Sequence, residues 1–129
     1  MTIQAYFTQF LEVVDQYAAA GFVVATDVRY ETRQGDQGYL SGTLLFIDSS
    51  TLHFSEYLDQ AGGTADRLMY TYHYQDAKNR LIFRYDNARH KPPLSSPDHK
   101  HLHDRIIETP APVFEDILIE IVTLKGWGE

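Results

Sequence analysis

The sequence predicts an α+β domain: an N-terminal and a C-terminal helix packed on an antiparallel sheet of about five strands in successive hairpins, with partial closure into a barrel where the sheet curls. Three observations carry this. One-sided apolar stripes with helical spacing occur near both ends of the chain. Between them lie β-branched and aromatic runs separated by polar turn clusters. Tyrosine (9) and phenylalanine (7) far outnumber methionine (2) and tryptophan (1), a composition that suits pleated, half-buried surfaces. The 129 residues are read as a single domain spanning the whole chain.

The N-terminal stripe is Ile3, Phe7, Phe10, Leu11, Val14, Tyr17 and Ala18, placing a helix over residues 3–18. Thr2 can cap it and Gly21 can end it. A strand follows from Phe22 to Arg33, with Thr26, Val28, Tyr30 and Thr32 on one side by the two-residue period. After a turn at Gly35–Gly38, residues 39–47 and 52–59 flank Asp48-Ser49-Ser50-Thr51, whose side chains bond their own backbone and reverse the chain. Residues 67–75 and 80–86 form another hairpin around Asp76-Ala77-Lys78-Asn79. With Gln75 opposite Arg80, Tyr70, Tyr72, Tyr74, Leu81, Phe83 and Tyr85 share the core face, and Met69, Thr71, His73, Ile82, Arg84 and Asp86 share the other.

From Asn87 to Glu108 the periodicity stops and Pro92, Pro93 and Pro97 oppose helix and inner strand alike. A long irregular segment in a small domain is commonly functional or disordered. Residues 112–124 form the last helix, with Pro112 in its first turn and Gly126 after it. Its buried stripe is Phe114, Ile117, Leu118, Ile121 and Leu124.

Without cysteine, disulfides, thiolate zinc sites, iron–sulfur clusters and cysteine nucleophiles are excluded. No apolar run approaches a bilayer span and no leader pattern opens the chain, so the expected location is the cytoplasm, with no membrane partner. The net charge of −7 argues against a protein that coats nucleic acid with its whole surface. Yet residues 84–105 hold Arg84, Arg89, Lys91, Lys100 and Arg105 against Asp86, Asp98 and Asp104, together with most of the histidines. A local basic site remains.

The densest chemistry is Asp98-His99-Lys100-His101-Leu102-His103-Asp104. If this stretch is extended, the alternate histidines point to one side. As an acid–base site, His99 and His101 can remove a proton from a ribose 2′-hydroxyl and return one to the leaving oxygen near neutral pH, while Lys100, Arg84 or Arg89 holds the phosphate. As a metal site, the same imidazoles with Asp98 or Asp104 supply ligands for zinc, manganese or nickel. A solvated polar loop is the third reading. The run Phe83-Arg84-Tyr85-Asp86-Asn87-Ala88-Arg89-His90 leaves a strand and enters the irregular segment, a place where rigid elements hold reactive groups; an Arg84–Asp86 pair with Asn87 opening a turn is the structural alternative. Glu56 is read as a general base, an anchor for Arg84 or a solvent-facing carboxylate. His73, among tyrosines, is read as a buried histidine bonded to a Tyr hydroxyl. No glycine-rich phosphate loop, Gly-x-Ser-x-Gly turn or paired-histidine zinc helix is present.

The order Gly38-Tyr39-Leu40-x-Gly42, Phe54-x-Glu56-Tyr57, Tyr72-x-Tyr74-Gln75, Phe83-Arg84-Tyr85-Asp86-Asn87-Ala88-x-His90 and His99-Lys100-His101 resembles the TumE-type toxins of prokaryotic toxin–antitoxin pairs. The resemblance covers about residues 38–103 plus a helix near the C-terminus, and its most specific part is the Arg-Tyr-Asp-Asn-Ala-x-His run with the downstream His-Lys-His. Where the family pattern continues with a second histidine, this chain has Lys91. The resemblance implies a small cytoplasmic toxin neutralised by a cognate antitoxin that carries a DNA-binding domain. Carried over by position, the candidate residues are Glu56, Arg84, Asp86, Asn87, His90, His99, Lys100 and His101.

Combined with the side-chain chemistry, these residues suggest an RNA-cleaving toxin that needs no cofactor and no metal. His99, His101, Glu56 and Asp86 are the catalytic candidates, and Arg84, Asn87, His90 and Lys100 the substrate-binding ones. A metal-dependent phosphodiesterase or nucleotide-modifying enzyme, and a non-catalytic binding module, are the alternatives. Alanine at His99 is expected to abolish cleavage with thermal stability nearly unchanged. An antitoxin is expected to mask the basic loop, and a homodimer is the other way to cover the apolar C-terminal stripe.

Overall fold

Thr2 accepts a hydrogen bond from the Ala5 N–H at 3.0 Å and so starts helix α1 (Ile3–Ala19) where the sequence places a cap. Gly21, at φ 89°, turns the chain out of it. The computed structural model describes residues 1–88 and 96–128. After α1 come β1 (Val23–Arg33), β2 (Gln37–Phe46), β3 (Thr51–Asp59), β4 (Asp66–Gln75), β5 (Leu81–Asp86), β6 (His99–His101), β7 (Ile106–Glu108) and helix α2 (Phe114–Lys125).

The sheet is antiparallel and meanders in chain order from β1 to β7. It therefore has seven strands among the described residues, rather than about five, and it stays open rather than closing into a barrel. The two added strands come from the segment expected to be irregular. All three prolines of that segment precede His99, so the backbone beyond Pro97 is free to donate to the edge of β5. There Asp86 lies opposite His99, Tyr85 opposite Lys100 and Arg84 opposite His101. A turn in which the Leu102 N–H donates to the Arg105 carbonyl then adds β7.

In the β4–β5 hairpin, Tyr72 pairs with Tyr85 and Tyr74 with Phe83, two residues from the expected register, because a bulge at Tyr74/Gln75 brings Gln75 opposite Leu81. A slip of two keeps Phe83, Arg84, Tyr85 and Asp86 on their expected faces, whereas at the bulge Leu81 comes opposite Gln75 and Ile82, expected on the open face, packs against the core instead. Tyr70, Tyr72, Tyr74, Phe83 and Tyr85 are accordingly buried.

Both helices cover this one face. Phe10 of α1 stacks on Phe114 of α2 with centroids 3.9 Å apart, and both rings reach Phe54 of β3, at 5.2 and 5.4 Å. Each such buried ring contributes on the order of 2–3 kcal/mol through area removed from water. In α2 the buried stripe is Phe114, Ile117, Leu118, Ile121 and Val122, whereas Leu124, expected to be buried, is exposed. Gly126 at φ 70° turns the chain so that Trp127 stacks on Phe22 and Phe46. That brings the Val122 side of the last turn inward. No helix among the described residues is long and apolar enough to cross a membrane.

The sheet face away from the helices is polar. Across it run two cross-strand rows, His53–His73–Arg84–His101 and Ser55–Thr71–Asp86–His99.

Candidate functional site

The two rows converge on Asp86. Directly paired residues of antiparallel strands share a face, so the pairings of β5 with β6 carry Arg84, Asp86, His99 and His101 to one place. The extended backbone of β6 points His99 and His101 to the same side and Lys100 to the other. The third histidine, His103, lies past the end of β6 and is exposed.

Asp86 is a junction. Its Oδ1 stands 2.6 Å from His99 Nε2 and accepts from the Ala88 N–H at 3.1 Å. Its Oδ2 accepts from Arg84 Nε at 3.0 Å and stands 3.5 Å from His101 Nε2. Burial alone would raise the pKa of this carboxyl; the Arg84 bond, the Ala88 N–H and the two imidazoles outweigh it and hold the value below the usual range. Asp86 is thus kept as an anion that orients its neighbours.

Those neighbours differ in access. The His99 side chain is 0% exposed, with Nδ1 2.9 Å from the Pro97 carbonyl and Nε2 against Asp86. The His101 side chain is 22% exposed and that of Arg84 40%. Solvent and ligands therefore reach Arg84 and His101 directly. Asp86, His99 and His101 also form a group whose ligand atoms lie within 4.8 Å of one another, a set that could hold a metal ion.

Arg84 Nη1 contacts His73 Nδ1 at 3.5 Å, and His73 Nε2 lies 3.1 Å from Gln75 Oε1. His73 is therefore not bonded to a Tyr hydroxyl, because the tyrosines of β4 point to the opposite face. Burial and the Arg84 charge both lower its pKa. An open groove of about 390 Å³ adjoins it, lined by His53, Ser55, Thr71, His73, Gln75 and Arg84.

The remaining candidates lie elsewhere. Glu56 is on the helix-covered face, fully buried; it accepts from the Tyr6 hydroxyl and, at 2.7 Å, from the Tyr72 hydroxyl, which also accepts from Arg67 Nη1 at 2.6 Å. It anchors no part of Arg84 and does not face solvent. Lys100 also points to the helix side, where its Nζ donates to Glu120 Oε2 at 2.7 Å beside the Phe83 and Tyr85 rings. Asn87 extends the β4–β5 ladder with its side chain: Oδ1 accepts from the Tyr70 N–H at 3.1 Å and Nδ2 donates to the Leu68 carbonyl at 2.9 Å. His90 falls outside the described residues, as do Arg89 and Lys91.

Sequence reasoning missed the adjacency of His73 and Arg84, and the role of Arg67 beside Glu56. The period-two pattern signals the first by putting His73 and Arg84 on one face, but contact also requires the register. Nothing in the pattern marks Arg67, which donates to Tyr72 and lies over the Tyr70 ring of its own strand, and meets Glu56 and Tyr6 only because β3 and α1 pack there.

The model of a family described as Toxin TumE matches residues 10–125 of the chain. No curated protein and no solved structure shows a significant match.

Proposed function

This chain belongs to the TumE toxin family, and from that premise we propose that it is the toxin of a toxin–antitoxin pair and acts as a metal-independent ribonuclease. The observation that carries the reading is the sharing of one carboxylate oxygen, Asp86 Oδ2, by Arg84 and His101 on a solvent-reached face. A guanidinium binds phosphate oxygens and stabilises charge developing on them. A neighbouring imidazole moves protons near neutral pH. Asp86 orients both, and buried His99 positions Asp86 from behind.

A toxin family implies a cognate antitoxin. Acidic antitoxin side chains over Arg84 and His101 would block the substrate and match the local charge.

The test incubates purified protein with single-stranded RNA, with and without a chelator. Cleavage that survives the chelator, is lost in His101→Ala and falls at least about 100-fold in Arg84→Ala supports the reading. Intact RNA with the wild type overturns it. Induced expression in a bacterial host is the cellular counterpart, with growth arrest expected from the wild type and not from His101→Ala at matched protein levels.

A second reading rests on the Asp86–His99–His101 group. The Pro97 carbonyl facing His99 Nδ1 is the kind of outer contact that orients a ligating imidazole. A metal-dependent phosphodiesterase would lose activity with the chelator and regain it with a divalent metal.

A further inference from the structure

His73 was read from the sequence as a structural histidine, yet it stands at the site's open edge with one ring nitrogen turned to Arg84. We propose that His73 is the second proton-transfer group of the site, acting as general base opposite His101 with the phosphate held between them on Arg84. This rests on the ribonuclease reading above and deepens it.

The row His73–Arg84–His101 carries the argument. These three residues are consecutive cross-strand neighbours on one sheet face. Neighbouring strands lie about 4.8 Å apart, so the two imidazoles are rooted about 10 Å from one another with a guanidinium midway. That spacing admits a phosphodiester between two rings. His99 cannot supply this geometry, since it is fully buried on the far side of Asp86 with Pro97 and Asp86 at its two nitrogens.

The two rings also have opposite surroundings. Arg84 lies against His73 Nδ1 and Gln75 against its Nε2, with the His53 ring of β3 6.1 Å away. No carboxylate appears among these neighbours. A neutral ring that donates from Nε2–H to the Gln75 carbonyl oxygen turns its Nδ1 lone pair to Arg84 Nη1, 3.5 Å away, and a phosphate that draws the guanidinium onto its own oxygens hands that lone pair to the 2′-hydroxyl. His101 instead lies on the other side of the guanidinium, with Nε2 3.5 Å from Asp86 Oδ2 and 22% of its side chain exposed. The groove beside His73 offers hydroxyls of Ser55 and Thr71 to the nucleotide carrying the 2′-hydroxyl.

In the step so assembled, His73 Nδ1 takes the proton of the ribose 2′-hydroxyl while O2′ forms its bond to phosphorus. The P–O5′ bond breaks, and protonated His101 gives its proton to O5′. Arg84 holds the non-bridging oxygens. The products are a 2′,3′-cyclic phosphate and a 5′-hydroxyl, and water returns the proton from His73 to His101.

The experiment measures kcat, KM and pH dependence of cleavage of a short single-stranded RNA by wild type, His73→Ala and His73→Gln. Binding of the 2′-deoxy analogue is measured in parallel, and His73→Gln serves as the conservative replacement should the alanine variant fail to fold. Expected are a fall in kcat of about 100-fold or more with analogue affinity within about threefold, loss of the acidic limb of the pH profile, and partial recovery on adding imidazole. A variant with kcat within about twofold of wild type, or with an unaltered pH profile and no imidazole rescue, would overturn the assignment of His73 alone. Absence of cleavage by the wild type would instead remove the ribonuclease reading on which it stands.

Discussion

Glu56 and Asp86 lie on opposite faces of the same sheet. Glu56 pairs with Tyr70 and Asp86 with Thr71, and consecutive residues of a strand project to opposite sides. One carboxylate is thereby committed to the helix-covered core and the other to the open face. They are the only buried carboxylates among the described residues, and they cannot belong to one site.

Glu56→Ala should cost about 3 kcal/mol, because the Tyr6 and Tyr72 hydroxyls lose their acceptor and Arg67 loses the nearby charge in a buried place. Glu56→Gln keeps one acceptor oxygen and should cost about 1 kcal/mol. Urea unfolding measures both. At matched folded protein, growth arrest by Glu56→Gln should persist, and its loss would return Glu56 to the chemistry.

The same residue sets a pH dependence. Burial raises the Glu56 pKa above its ordinary 4.5, more than the two tyrosine hydroxyls and Arg67 lower it. The native state therefore holds this proton more tightly than the unfolded chain. Its contribution is fully present below the unfolded value and is lost as pH rises through the raised native one. The stability advantage of wild type over Glu56→Gln should accordingly shrink as pH rises from 4.5, in unfolding curves recorded across that range. A gap that widens would contradict the burial argument.

His99→Ala should destabilise the fold by about 2–4 kcal/mol, since it opens a void and strips partners from Asp86 and the Pro97 carbonyl. This reverses the expectation from sequence that stability would hardly change. His101→Ala, at a partly exposed position, should stay within about 1 kcal/mol of wild type while abolishing cleavage. Thermal unfolding and RNA cleavage on the same samples separate the two roles.

Gly42→Ala should cost more than about 3 kcal/mol, lowering Tm by about 10 °C or more. A Cβ there would sit 1.9 Å from the Asp27 carbonyl oxygen of β1 and 3.0 Å from the Phe54 ring. Gly62→Ala, with nothing within 4 Å, should change Tm by no more than about 2 °C. Equal melting points would show that β1 can move away from Gly42.

Much of the architecture was readable because it depends on local rules. Thr2 caps the first helix as its side chain permits, the Asp48 and Asp76 turns form where side-chain oxygens reach their own backbone, and the tyrosine face of β4 follows from alternation alone. Strands β6 and β7 were not readable, since three residues carry too little pattern and owe their form to the free edge of β5. Leu124 was misplaced for a related reason: the contact that decides which side of the last turn is buried comes from Trp127 returning onto Phe22 and Phe46.

By itself the sequence determined the helices, the five long strands, the division of β4 and of β5 from Phe83 onward into two faces, and the family pattern. It also determined that His99 and His101 project together whenever that stretch is extended. Only the tertiary structure decided which candidates meet. Pairing of β5 with β6 brought Asp86 to His99 and His101, pairing of β3 with β4 sent Glu56 to the core, and the helices took Lys100 for Glu120. Periodicity is a property of consecutive residues and is set by backbone geometry. Register and face between distant segments are set by the burial and hydrogen bonding of the whole sheet, and no single segment encodes them.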